Sequence, residues 1–175
     1  MKPIVLTGGP GSGKSTVLNL LHQQGYATGN DAARQIIRER KSRGDSPRPD
    51  PLTFAQTILE MEIQAYTKQD LSPAFYERGV VDAVGALCAL YPSSAMDLSA
   101  AQRLLRDYPY HAVFIFPPWE DIYCMDDERD HTFDHAAMVY ESTIALYTRF
   151  NYTPIEVPKD TPENRVRFIL GYLER

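Results

Sequence analysis

The stretch VLTGGPGSGKSTVLNLL, residues 5–21, decides the fold. Four glycines (Gly8, Gly9, Gly11 and Gly13) and Pro10 separate an apolar run from Val17, Leu18, Leu20 and Leu21, which recur at helical spacing. Glycine weakens strands and helix interiors alike, so the cluster serves what its backbone can do. Gly8 to Ser15 satisfies G-x-x-x-x-G-K-[ST], the pattern of a phosphate-binding loop. Such a loop curls until successive N–H groups of Gly8, Gly9, Pro10's neighbour Gly11, Ser12 and Gly13 face one concavity, a nest for phosphate oxygens. The helix that follows adds the positive end of its dipole. In that arrangement Lys14 reaches the β- and γ-phosphates, the Ser15 hydroxyl ligates Mg²⁺, and Thr16 lies beside the α-phosphate. The expected ligand is a nucleoside triphosphate.

Outward from this stretch, strands and helices alternate. PIVLT is the strand before the glycines; GYAT is a weak second strand; DAARQIIRERK reads as a helix from Asp31. Asp50-Pro51 is a helix start, an N-cap followed by proline in the first turn. Ala55, Ile58, Leu59, Ile63 and Tyr66 then share one face. PAFYE is a candidate buried strand, followed by the apolar helix VVDAVGALCAL. Ser99 and Gln102 have the spacing of a capping box for the next helix. HAVFIF is the clearest strand, ended by Pro117-Pro118. Phe133, Ala136, Ala137, Tyr140, Ile144 and Tyr147 form another helical stripe. TPIEV is the last strand, and Thr161-Pro162-Glu163 opens a final helix carrying Val166, Ile169, Leu170 and Leu173. This alternation predicts an α/β three-layer sandwich, a parallel sheet with helices on both faces.

The 175 residues fit one domain, 1–175, with no internal repeat or linker. A hydrophobic content of 43% and a charged content of 23% are those of an ordinary globular chain. The net charge of −5 argues against non-specific nucleic-acid binding. Cys88 and Cys124 have no metal or redox spacing, and no apolar run reaches membrane-spanning length. The expectation is a reduced, cytoplasmic protein with no membrane or nucleic-acid partner; its oligomeric state is not legible.

The nucleotide and the chemistry come from later motifs. A GTP-binding chain needs D-x-x-G after its third strand; here the sequence reads YERG. TKQD, Thr67 to Asp70, imitates a guanine motif but ends a helix. ATP is therefore favoured. Glu77 closes a buried strand and suits Mg²⁺ through water, and Arg78 beside it suits an anionic substrate or the transferred phosphoryl. The alternative for Glu77 is a salt bridge at a strand end.

In these pieces the chain resembles the P-loop small-molecule kinases, and more narrowly a family of predicted ATPases similar to the kinase domain of nicotinamide riboside kinases. The matching segments are VLTGGPGSGKST, DAARQII, YERGVVDAV, DDERDHTFD and the tail NYTPIEVPKDTPENRVRFIL. The family usually has Asp-Arg-Gly at Glu77-Arg78-Gly79 and glutamate at Asp31. Glu-Arg also occurs in deoxynucleoside kinases and keeps the charge, whereas Asp31 shortens the reach. The resemblance implies a five-stranded parallel P-loop NTPase sheet in the order 2-3-1-4-5. It also implies a lid near residues 119–135, with Arg129 stabilising the transferred group. Asp31 is then the base for an attacking hydroxyl or, equally, a helix N-cap, with Arg34 one turn on.

Asp82 either orients Arg78 or lies on a helix surface. The segment ARQIIRERKSRGDSPRP carries six basic residues and reads as an acceptor-binding flap or a solvated loop. His131 and His135 stand four apart but lack the glutamate of a zinc motif. The resulting expectation is transfer of the γ-phosphoryl of ATP·Mg to a small-molecule acceptor, nucleoside-like by resemblance. A regulatory ATPase or nucleotide switch is the alternative, with no AAA-type sensor pattern in support of an oligomeric motor.

Overall fold

The computed structural model describes residues 3–29, 31–68, 74–90, 98–123 and 132–174. Strand β1 (Ile4–Gly8) is buried along its whole length, as expected of a central parallel strand. It leads through the glycine loop into α1 (Lys14–Gln23). Then follow β2 (Ala27–Gly29), α2 (Ala32–Ser42), α3 (Pro51–Thr67), β3 (Ala74–Glu77) and α4 (Val80–Leu90). The remainder is α5 (Leu98–Asp107), β4 (Ala112–Phe116), a 3₁₀ turn at Glu120–Ile122, α6 (Phe133–Arg149), β5 (Ile155–Glu156) and α7 (Pro162–Leu173). All pairings are parallel, and the sheet order is β2-β3-β1-β4-β5, the order expected from the resemblance.

Alternation along the strands divides the core. Ile4, Leu6, Phe114 and Phe116 point to one face and pack on Val17, Leu18 and Leu21 of α1 and Val166 and Ile169 of α7. Val5 and Val113 point to the other, against Val80, Val81 and Val84 of α4, Leu105 of α5 and Tyr147 of α6. Helix α3 contributes Leu59, Ile63 and Tyr66 to this second layer. Fully burying one such aliphatic side chain is worth about 1.5–3 kcal/mol, so the two layers, rather than the glycine loop, anchor the sheet.

The helix starts follow their caps. Asp50 accepts from the Thr53 amide at 3.0 Å, and Thr161 from the Asn164 amide at 3.3 Å. One start differs from expectation: Ser99 lies inside α5, where its Oγ accepts from Arg103 at 3.1 Å, so Ser99 and Gln102 are not a capping box. In α6 Thr143 is buried, while Ala137 and Ile144 are only half-buried. Thr143 tolerates this because its hydroxyl donates to the Val139 carbonyl, 2.7 Å away. Cys124, Arg129, His131, Asp70 and most of DDERDHTFD lie outside the described residues.

Candidate active site

The site gathers at the C-terminal edge of the sheet, where parallel α/β folds place their ligands. Gly8 ends β1 at φ 123°, and a Cβ there would meet the Phe116 carbonyl oxygen of β4 at 2.5 Å. Only glycine lets the loop leave the sheet at this angle. Gly13, at φ 86°, is the N-cap of α1 and offers no side chain to it. The first amides of α1 therefore keep their donors for another partner.

Lys14 opens α1 and is buried, 4% exposed. Its Nζ donates to the carbonyls of Gly9 (2.7 Å) and Gly8 (3.2 Å) and to Ser12 Oγ (3.3 Å). Burial, then the nearby Arg78 charge, lower its pKa to about 8, with Glu77 and Asp31 pulling the other way. Ser12 Oγ donates to the Gly9 carbonyl at 2.9 Å and tightens the same loop. Ser15 is half-buried and Thr16 exposed, one position further round the helix. Pro10 borders a cavity beside Lys14 that Asp31, Glu77 and Arg78 also line.

Parallel register brings β3 to this loop. Leu6 pairs with Glu77, two residues before Gly8, and the Arg78 amide donates to the Leu6 carbonyl at 2.9 Å. Glu77 is 5% exposed, and its carboxylate has no hydrogen-bond partner among the described residues. It borders one cleft with Ser15, Asp31 and Arg34. A hydroxyl and carboxylates are hard oxygen donors, the set that suits Mg²⁺.

Arg78 has φ 69°, a left-handed backbone uncommon outside glycine. Its guanidinium spans two carboxylates, Asp31 Oδ2 at 3.4 Å from Nε and Asp82 Oδ1 at 3.6 Å from Nη1. Burial pulls its pKa down, but Asp31, Asp82 and Glu77 outweigh it and carry the pKa above the usual arginine value. Asp31 also caps α2, its Oδ1 accepting from the Arg34 amide at 3.1 Å. Cap and site partner are thus the same residue. Arg34 borders the same cavities.

Asp82 is the hub behind Arg78. Its Oδ1 accepts from Thr7 Oγ1 (2.6 Å), and its Oδ2 from the Gly79 amide (3.0 Å) and the Tyr147 hydroxyl (2.6 Å). One carboxylate ties β1, the β3–α4 turn and α6 together. Of its two sequence readings, the geometry matches the one that orients Arg78.

Two residues escaped the sequence reading. Glu62 of α3 is 5% exposed and borders the cavity beside Lys14; burial, then Asp82 and Asp31, raise its pKa to about 8. Arg165 of α7 is 2% exposed and donates from Nη1 to the Ser12 carbonyl (2.8 Å) and from Nε to Pro158 (2.9 Å). Its guanidinium lies 4.8 Å from the Trp119 ring centre, and its Nη2 is buried without a partner among the described residues. A charge on an apolar stripe marks both: Glu62 falls between Ile58 and Tyr66, and Arg165 one turn before Ile169.

A family profile described as an AAA domain matches residues 3–165. No curated protein matches the sequence. Among solved structures, deoxyadenosine kinase from M. mycoides with bound dATP is similar over 99% of this chain and 100% of its own, at TM-score 0.63 and 11% identity. The same kinase with the products dCMP and a flexible dCDP gives TM-score 0.66 at 13% identity, covering 98% of each chain. Its dCTP complex gives 0.61 at 12%, again over 98% of each. The fold is that of P-loop nucleoside kinases.

Proposed function

We propose that this chain, which belongs to the AAA domain family, transfers the γ-phosphoryl of ATP·Mg to the hydroxyl of a small, nucleoside-like acceptor. The observation that carries the reading is the meeting of the Gly8–Ser15 loop with Asp31, Glu77 and Arg78 around one cavity of about 290 Å³. That volume lies near the lower end of ligand pockets, about 300–1,000 Å³, and admits one compact molecule. The likeness in fold to a kinase that binds nucleotides supports the same reading.

The nucleotide's phosphates take the loop amides, and Lys14 Nζ exchanges the Gly8 and Gly9 carbonyls for β- and γ-oxygens. Ser15 and Glu77 would hold Mg²⁺, which would supply charge neutralisation on the phosphates. Asp31, held by Arg78, accepts the proton as the acceptor oxygen bonds to the γ-phosphorus. The bond from that phosphorus to the β-phosphate oxygen breaks, and ADP leaves. Arg78 stabilises charge on the transferred group, the role that the resemblance also implies for Arg129, which lies outside the described residues. Such transfer rests on positioning and electrostatics more than on covalent work.

The AAA domain description favours a second reading, a regulatory ATPase or switch with water as acceptor. Incubation with ATP·Mg and a panel of nucleosides separates the two. A kinase releases ADP faster when its acceptor is present; an ATPase releases it at one rate throughout. No helix among the described residues is long and apolar enough to cross a membrane, and a cytoplasmic site of action is part of the proposal.

A further inference from the structure

Charged and apolar side chains both line the cavity beside Lys14. Asp31, Arg34, Arg48, Glu77, Arg78 and Asp82 are the charged ones with it; Ile37, Phe54, Ile58, Ala83 and Ala86 are among the apolar ones. Glu62 borders the same cavity from α3, on the turn that follows Ile58. It is 5% exposed, and its carboxyl takes a hydrogen bond from the Ala32 amide at the start of α2. One backbone donor leaves the rest of the carboxyl's hydrogen-bonding capacity, a hydroxyl donor included when it is protonated, to whatever fills the cavity.

We propose that Glu62 sets acceptor specificity: its carboxyl pairs, by one donated and one accepted hydrogen bond, with an uncharged amide-like edge on the ring of a small acceptor. The inference rests on the phosphotransfer reading in calling that ligand an acceptor. Three features favour an uncharged edge. Apolar Phe54, Ile58 and Ile37 face a flat, weakly polar body. Positive groups are already present on the lining, at Lys14, Arg34, Arg48 and Arg78. Glu62 keeps its proton at neutral pH, because burial and the charges of Asp82 and Asp31 oppose ionisation. A protonated carboxyl offers an O–H donor and a C=O acceptor side by side, the complement of an amide or lactam.

The groups that bear on this proton are distributed over every element around it. Asp31, at the start of α2, and Asp82 of α4 hold it on; Arg78 of the β3–α4 turn and the Ala32 amide work against it. Burial, before any neighbouring charge, keeps Tyr110 and Tyr147 protonated. Lys14 titrates in the same range, also near 8, so a pH effect belongs to Glu62 only if the glutamine variant abolishes it.

Calorimetric titration of the full chain, with a non-hydrolysable ATP analogue present, tests the assignment without requiring turnover. The probes are inosine, deoxyadenosine, deoxycytidine and a methyl riboside that lacks a base. At least one base-bearing probe should bind, the methyl riboside should not, and E62L should weaken that binding roughly 10- to 100-fold. E62Q, which keeps a donor and an acceptor, should restore it to within about threefold. Native affinity should fall as pH rises past 8, while E62Q holds level. Removing a buried acid beside two carboxylates should not unfold the chain, which circular dichroism of both variants checks.

Absence of any binder in the panel, or a binder whose affinity E62L leaves unchanged, overturns the assignment. Phosphoryl transfer is scored separately. A probe that binds through Glu62 but is never phosphorylated sinks the kinase reading and spares this one.

Discussion

Lys14 carries the largest single share of the proposed chemistry. Its ammonium is held on loop carbonyls at 2.7 and 3.2 Å, so it is already inside the nest. Charge-assisted hydrogen bonds contribute about 1.5–3 kcal/mol each. Lys14→Ala should therefore lower kcat/KM for ATP by roughly 100-fold or more while leaving the circular dichroism spectrum unchanged. Because burial lowers the Lys14 pKa to about 8, the free protein loses this charge as pH rises past that value. Phosphate oxygens restore it, so nucleotide binding near pH 8.5, an assay condition of about that value, should take up protons. Calorimetry in two buffers of different ionisation enthalpy reads that uptake, and the alanine variant should lack it.

At this scale the glycines, Lys14, Ser15 and Glu77 were legible because a spaced motif and a strand end name them. Glu62 and Arg165 had only the weaker mark of a charge on an apolar stripe, which does not tell what that charge faces.

Helix α2 shows how one residue serves an element and a site together. Asp31 caps the helix through the Arg34 amide and faces Arg78 at 3.4 Å. Asparagine caps about as well as aspartate but carries no charge and takes up no proton. Asp31→Asn should thus keep thermal stability within about 0.5 kcal/mol of native, whereas Asp31→Ala should lose about 1 kcal/mol. Both should reduce acceptor-dependent turnover by at least about 10²-fold if Asp31 receives the proton. Melting curves and steady-state rates on the two variants separate cap from base. Equal turnover in native and Asp31→Asn would leave only the cap.

The elements themselves were largely readable. Apolar runs and caps gave β1, β4, α3 and α7 nearly to their ends. The start of α5 was misplaced because a serine followed by glutamine fits a cap and a helix interior alike, and spacing cannot choose between them.

Across the whole molecule, the sheet order was expected only through family resemblance. Alternation predicts a parallel sheet, but the hydrophobic pattern of a buried strand does not say which neighbour it takes. The structure also concentrates charge at one edge, with consequences for global stability. Glu62 has a folded pKa of about 8, above its ordinary 4.5. Between those values the folded chain holds a proton that the unfolded chain has released. Stability from this group therefore falls as pH rises from about 4.5 to 8 and levels off beyond. Native melting temperature should decline over that window by an amount worth a few kcal/mol, roughly, and Glu62→Gln should flatten the decline. Identical pH profiles for the two proteins would show that Glu62 ionises freely.

The central claim is that the γ-phosphoryl goes to a bound small molecule rather than to water. Incubation with ATP·Mg labelled at the γ-phosphate, with each nucleoside in turn, follows the label itself. The account predicts one labelled nucleoside monophosphate for each ADP formed with the correct acceptor, and loss of that product in Lys14→Ala. Label found only as inorganic phosphate, at a rate no nucleoside changes, would contradict it.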